Sequence, residues 1–343
     1  MRVLASRSQS RLPVQDPSHV GECRRLAQSF AEACDLDATL IGRAGIVATE
    51  LANNLVKHAG GGELLIQILD DGFGPTLEMV AIDRGPGMYI ETCMRDGYST
   101  GGTAGTGLGA VLRLSTVFDA YSLIGQGTVV VSRISRAAAP GSADSAARLS
   151  TPEFGAICLA VAGEIECGDI WRIAYRGEET AIMVADGLGH GPLAATASRA
   201  LAAAFAERPF DAPSQCMQRF HGALAGGRGA AAACAILDRQ QEKVIYAGVG
   251  NICGSVVSAD RSKGMVSHNG TLGVQLVRNQ QFEYDYQRGS RVVMHSDGMS
   301  ARWSIGEYPG LQGRHAAVIA AVLYRDHARA RDDITVVVWG AHG

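Results

Sequence analysis

Apolar residues recur at helical spacing over His19–Cys34 and Ala38–His58, the pattern of helices with one buried face. Strand-like runs follow at Glu63–Asp70, Leu77–Asp83, Val117–Ile124 and Gly127–Ile134, predicting a mainly antiparallel sheet, with a further helix beginning at about Leu108. Between Arg133 and Pro152 the residues turn small and polar, with prolines, which is linker composition. Strand-like runs then dominate, at Gly155–Ala162, Asp169–Ala174, Thr180–Ala185, Ala230–Leu237, Lys243–Ala247, Arg291–His295 and Ile334–Trp339. Helical patterns cover about Pro192–Ala206, Ser214–Ala225 and Arg314–His327. Many strands with helices grouped rather than alternating predict two packed sheets flanked by helices. No internal repeat is present, which argues against a solenoid or propeller.

The expected organisation is an N-terminal tail over 1–11, a mixed α/β (α+β) domain over 12–134, a linker over 135–152 and a second domain over 153–340. A length of 343 residues agrees with two hydrophobic cores rather than one. The net charge of -3, with no Lys/Arg block, gives no footprint for nucleic acid or an acidic membrane surface. The eight cysteines form no C-x-x-C pair, and most sit in apolar runs, as expected of reduced thiols in a cytoplasmic protein. Residues 1–17 lack the apolar stretch of a secretory signal, and the longest apolar run, Ala316–Tyr324, is too short to span a bilayer. Protein or small-molecule partners are expected; oligomeric state is left open.

Three segments of the first domain carry candidate chemistry. Glu50, Asn54 and His58 are four residues apart, so a continuous helix would stack them on one face, with Lys57 beside them. Asp83-Arg84-Gly85-Pro86-Gly87 delivers a carboxylate from a strand into a turn that another group can approach closely. The Gly/Thr-rich loop 96–107, with Thr103, Gly105, Thr106 and Gly107, runs into Leu108 and Gly109 at a helix start, where amides bind phosphate well. Gly105-x-Gly107-x-x-Ala110 loosely meets the dinucleotide pattern, but a loop precedes it where a Rossmann unit needs a strand.

In this order and spacing the segments resemble the GHKL (Bergerat-type, HATPase) ATP-binding fold over about Leu12–Ile134, and Asp96-Gly-Tyr-Ser-Thr resembles the RsbT-type switch kinases. The resemblance implies an α/β sandwich that binds ATP with Mg²⁺. It makes Glu50 the general base for a substrate hydroxyl, Asn54 the Mg²⁺ ligand, and Lys57 and His58 neighbours of the phosphates. Asp83 would receive the adenine amino group, Gly85 and Gly87 would let the base approach, and Thr128 would support its pocket. Thr103, Gly105, Thr106, Gly107, Leu108 and Gly109 would form the lid and phosphate loop. One departure is the end of that lid: Gly107-Leu108-Gly109-Ala110 stands where the switch kinases carry Gly-Leu-Pro-Gly.

In the second domain, acidic landmarks adjoin strand-like runs: Gly168-Asp169, Asp186-Gly187-Leu188-Gly189-His190-Gly191, Ser296-Asp297-Gly298 and Asp332-Asp333-Ile334-Thr335. A sheet edge could gather them, and such oxygen ligands suit Mg²⁺ or Mn²⁺, which clamp a phosphate and orient water. The set resembles the PPM-type phosphatases, in their SpoIIE-like and RsbX-like branch, over about Phe154–Trp339, with Ala247–Asn251 and Gly270–Gly273 as supporting turns. The resemblance implies an αββα sandwich and two Mn²⁺ or Mg²⁺ ions on Asp169, Asp186, the Gly187 carbonyl, Asp297 and Asp332, with Asp333 the alternative to Asp332. Asp186 and Asp297 are then catalytic. His190 either meets the phosphate or leaving oxygen, or orders its loop.

Together the resemblances imply a bifunctional regulator that phosphorylates and dephosphorylates Ser or Thr of STAS-domain antagonist proteins in bacterial stress signalling. The alternative is a phosphatase whose N-terminal domain only binds ATP and a partner, as a regulatory or anti-sigma-like module.

Overall fold

The computed structural model describes residues 1–70, 73–93, 107–136, 153–258, 261–275 and 279–340. The chain divides into two compact units, Ser6–Thr151 and Met1–Ala5 with Pro152–Gly343. Residues 1–11 are not a tail: β1 spans Arg2–Val14. Its apolar positions are spaced out by Ser, Arg and Gln, which conceals the strand, yet Leu4, Leu12 and Val14 are buried. Most of the expected linker, 137–152, lies outside the described residues.

In the first unit, β1 borders β2 (Gly62–Asp70), followed in sheet order by β3 (Pro75–Ile82), β5 (Gly127–Ser135) and β4 (Val117–Leu123). The pairs β2–β3, β3–β5 and β4–β5 are antiparallel. Helices α1 (Ser18–Ala33), α2 (Ala38–Asn54) and α4 (Gly107–Leu114) share one core with the alternate strand residues Leu64, Ile66, Leu77 and Met79. A short helix, α3, covers Ile90–Cys93. Asp37 caps α2 by accepting from the Leu40 amide at 3.0 Å. On the opposite sheet face, Glu78 accepts from Gln67 Nε2 at 2.6 Å and from Arg133 Nε at 2.7 Å, a buried polar row across three strands.

The helix expected over Ala38–His58 is corrected at its end. Its α-helical ladder stops at Asn54, and Leu55–Ala59 is a π-helical turn, closed by Gly60 at φ +73° and by the Gly61 amide on the Leu55 carbonyl at 2.9 Å. The wider i→i+5 turn rotates His58 relative to the α-helical stacking expected with Glu50 and Asn54.

The second unit stacks two sheets. One runs β13 (Ser267–His268), β10 (Lys243–Val249), β9 (Ala230–Asp238), β8 (Glu179–Gly187), β7 (Asp169–Arg176), with β14 (Phe282–Asp285) also on β10 and Arg2–Leu4 paired with β7. The other runs β12 (Ser262–Met265), β11 (Cys253–Val257), β15 (Arg291–His295), β16 (Ile334–Gly340), β6 (Glu153–Leu159). Helices α5 (Gly191–Glu207) and α6 (Pro213–Ala223) pack on the first sheet, and α7 (Ala316–His327) on the second, completing an αββα sandwich. Alternation sorts β8: Ala181, Met183 and Ala185 join the helix-side core, so Ile182, Val184 and Asp186 face the space between the sheets. The same parity aims Trp171 and Asp169 of β7 inward. Among the described residues, no helix is long and apolar enough to cross a membrane.

Candidate functional site

The acidic landmarks meet at one edge of the sandwich. Asp169 opens β7 and Asp186 closes β8, and the two are directly paired across the antiparallel strands. Asp297 follows β15 while Asp332 and Asp333 precede β16, strands that are likewise antiparallel neighbours. Burial, then repulsion from Asp297 and Asp332, pushes Asp186 up to about 7, against a hydrogen bond from Asn251 that favours the anion. Asp169 is held well above the ordinary carboxylate range, chiefly by burial and then by Asp186. Asp332 is raised by burial and then, among the charges, by Asp297.

The neighbours fix each carboxylate. Ser296 Oγ donates to Asp169 Oδ2 at 2.6 Å while accepting from the Thr335 amide at 2.9 Å, tying β7 to the turn after β15. Asn251 Nδ2 donates to Asp297 Oδ2 at 2.7 Å. Gly187 admits α5, because a Cβ there would collide with the Ala194 carbonyl; Gly298 likewise admits the Asp333 carbonyl. His190 is exposed, with Nδ1 at 2.7 Å from Glu164 Oε1. Sequence spacing offered no signal for Ser296 or Glu164, which act through bonds to residues 127 and 26 positions away.

Asp332 and Asp333 separate sharply. Asp333 is buried, with Oδ1 accepting from the Val161 amide at 2.7 Å and Oδ2 from the Gly168 amide at 2.6 Å. Its charge is spent on backbone donors that shape the loop before Asp169. Asp332 is exposed beside Asp297, which favours it as the ion-facing member of the pair.

A fit to divalent cations can be tested on the orphaned atoms. Asp169 Oδ1 and Asp297 Oδ1 are buried with no hydrogen-bond partner, a costly state for carboxylate oxygens unless a cation meets them. Among the described residues, no group of three or more His, Cys, Asp or Glu side chains is placed to hold a metal ion directly. Mg²⁺ keeps several waters and takes only one or two carboxylates, so an open acid cluster with unpartnered oxygens suits a hydrated ion.

In the first unit, Glu50 and Asn54 are half-buried near the end of α2, and both face the start of α4: a Cβ on Gly107 would lie 3.6 Å from Glu50 Oε2 and 3.6 Å from Asn54 Oδ1. Asp83 Oδ1 accepts from the Gly85 amide at 2.8 Å and the Thr128 amide at 3.1 Å, which locks the carboxylate at the strand end. Thr128 Oγ1 pairs with Ser122 Oγ at 2.9 Å. Gly87, at φ +72°, leaves room for the Leu123 carbonyl, and Gly85 for Ala59. Lys57 and His58 are exposed on the π-turn. The Leu108 side chain lies in the hydrophobic core and Gly109 is buried within α4, so a ligand at this helix start would meet backbone. Thr103, Gly105 and Thr106 lie outside the described residues.

Residues 14–134 match the family described as "Histidine kinase-like ATPase domain" and residues 176–341 that described as "Stage II sporulation protein E (SpoIIE)". The second match contains Asp186, Asp297 and Asp332 but begins after Asp169, which the strand pairing brings beside Asp186. The fold and the matches define a fusion of a kinase-type ATPase domain with a PPM-type serine/threonine phosphatase domain. Through the first of these the chain belongs to the RsbT family: it is 34% identical over 108 residues to serine/threonine-protein kinase RsbT of Bacillus subtilis (strain 168), covering 31% of this chain and 81% of RsbT. Phosphoserine phosphatase RsbX of the same organism is 27% identical over 139 residues, 40% of this chain and 70% of RsbX. Among solved structures, a chain from the bacterial stressosome superposes with a TM-score of 0.52 and 29% identity, covering 55% of this chain and 100% of that one. RsbX with magnesium gives a TM-score of 0.51 at 23% identity, covering 55% of this chain and 95% of that one, which speaks to fold alone.

Proposed function

We propose that the chain is a bifunctional switch regulator: the first unit phosphorylates Ser or Thr of STAS-domain antagonist proteins with Mg-ATP, and the second removes that phosphate. The observation that carries the reading is the acid cluster with its two orphaned oxygens, in the same chain as a glutamate and an asparagine facing a glycine-led helix start. The setting is the bacterial cytoplasm, and the partners are partner-switching proteins of the kind RsbT and RsbX imply.

In the second unit, Asp169, Asp186, the Gly187 carbonyl, Asp297 and Asp332 hold Mn²⁺ or Mg²⁺. Bound ions of this kind polarise a water for in-line attack and screen the phosphate charge. Ser296 donates to Asp169 and Asn251 to Asp297, so two of these carboxylates are held by hydrogen bonds of their own. Burial and then repulsion from Asp297 and Asp332 favour the protonated form of Asp186, and a divalent cation held there would favour its carboxylate instead. In the first unit, Asn54 holds Mg²⁺, Asp83 receives the adenine amino group, and Glu50 takes the proton from the attacking hydroxyl, while the Gly107 start of α4 offers amides to phosphate. A module that only bound ATP would have no use for Glu50.

Two measurements test the reading. Wild-type protein should hydrolyse p-nitrophenyl phosphate only with Mn²⁺ or Mg²⁺, and Asp186→Asn or Asp297→Asn retaining full activity would remove the metal site. Glu50→Ala should bind ATP yet fail to transfer the γ-phosphate to a STAS protein; undiminished transfer would remove the kinase mechanism.

A further inference from the structure

Among the described residues of the second unit, the large apolar side chains that stand in solvent include Ile165 at 99% exposure, Leu193 at 67%, Val274 at 66% and Leu188 at 56%. Isolated exposed apolar residues are ordinary, but these gather about one loop, residues 187–191. Leu188 belongs to that loop, and its amide donates to the Gly229 carbonyl at 2.9 Å. Val274 abuts Gly229, where a Cβ would lie 3.1 Å from Val274 Cγ2. Leu193 sits in the first turn of α5, directly after the loop. Ile165 follows Glu164, whose carboxylate engages His190 and lies against Gly191.

Arg228 adds a charge of the opposite sign to the acids. It is exposed and has no hydrogen-bond or ion-pair partner among the described residues. Its Nη1, Cζ and Nη2 stand 3.7, 3.8 and 3.9 Å from a Cβ built on Gly189. Near-equal distances mean that the guanidinium lies flat against the Gly189 turn, leaving its N–H edges open beside the loop that follows Asp186. Such an edge matches a phosphate through two parallel hydrogen bonds.

We infer that the 187–191 loop is the docking site for a phosphoserine or phosphothreonine segment with apolar flanking residues. Arg228 grips the phosphate, and Ile165, Leu188, Leu193 and Val274 cover the flanking side chains. This rests on the phosphatase reading above and narrows its substrate. Charge complementarity selects the occupant: an anionic group satisfies Arg228, whereas a purely apolar segment would bury the guanidinium unpaired.

The test compares the full-length, Mn²⁺-loaded protein on two synthetic phosphoserine peptides, one flanked by Leu and Val and the other by Ser and Gly, with p-nitrophenyl phosphate as the reference. Wild type is expected to favour the apolar-flanked peptide by about tenfold in kcat/KM. Arg228→Gln should raise KM for both peptides by about tenfold with kcat little changed, and Arg228→Lys should recover part of the loss. Ile165→Ser with Leu193→Ser should bring the ratio between the two peptides close to one. Hydrolysis of p-nitrophenyl phosphate without discrimination between the peptides overturns the docking site alone, as does an unchanged KM in Arg228→Gln. A wild type inactive on every substrate overturns the phosphatase reading as well. A dimer in sedimentation that Leu193→Ser dissolves would give the patch to a second copy and overturn the proposal.

Discussion

Replacing Asp332 and Asp333 one at a time should separate function from stability at adjacent positions. Asp333 is 2% exposed, and its carboxylate takes two backbone amides, from Val161 at 2.7 Å and Gly168 at 2.6 Å. Hydrogen bonds to an ionised group contribute about 1.5–3 kcal/mol each, so Asp333→Ala should cost roughly 3–6 kcal/mol. For a domain of ~150–250 residues that is a fall in Tm of roughly 6–24 °C. Asp332 is exposed and accepts one bond, from the Asp333 amide at 2.9 Å, while Asp297 repels it. Losing that bond costs at most about 1 kcal/mol, offset by relief of the repulsion. Asp332→Ala should therefore melt within a few degrees of wild type yet lose about 100-fold or more in Mn²⁺-dependent hydrolysis. The assays are calorimetry in EDTA and p-nitrophenyl phosphate turnover over a Mn²⁺ titration. Equal Tm losses in both variants, or an active Asp332→Ala beside a stable but inactive Asp333→Ala, would refute the division of roles.

Further outcomes follow from the same contacts. Because Asp186 is raised to about 7 by burial and then by Asp297 and Asp332, the folded metal-free protein holds a proton that the unfolded chain has released. The resulting destabilisation is absent below about pH 4, grows as pH rises towards about 7 and is complete above it. Wild type in EDTA should thus lose Tm relative to Asp186→Asn between about pH 5 and about pH 7.5, and a constant difference would contradict the shift. Glu78→Leu leaves Arg133 buried without its carboxylate, for a loss of about 3–5 kcal/mol in urea unfolding, while Glu78→Leu with Arg133→Leu should recover much of it. Gly87→Ala forces a Cβ into the Leu123 carbonyl at φ +72° and should abolish binding of a fluorescent ATP analogue; Gly125→Ala, at φ +81° with open space, should cost only about 1–2 kcal/mol and retain binding.

Most of the architecture was legible because strands and helices here keep clean periods. The turn at Leu55–Ala59 was not, since an apolar pattern does not distinguish an α-helical from a π-helical ladder, and the register of His58 depends on that difference. Strand β1 escaped because Ser, Arg and Gln separate its apolar residues, so its burial comes from pairing with β2 and β7 rather than from an apolar run. In the acid cluster, the carboxylates stood out as motifs beside strands, whereas nothing in the spacing showed that Asp333, and not Asp332, turns back to the backbone of 161 and 168. Arg228 carried no motif at all; only its position against Gly189 gives it meaning.

The central claim is that one chain writes and erases the same mark. It is tested most directly by incubating the wild-type protein with a STAS-domain protein, first with Mg-ATP and then, after ATP removal, with Mn²⁺ alone. Phosphorylation is followed at residue resolution by mass spectrometry. The expected result is a phosphate that appears on one Ser or Thr in the first step and leaves that same residue in the second. A partner left unmodified by Mg-ATP, or a mark that Mn²⁺ does not remove, would contradict the claim.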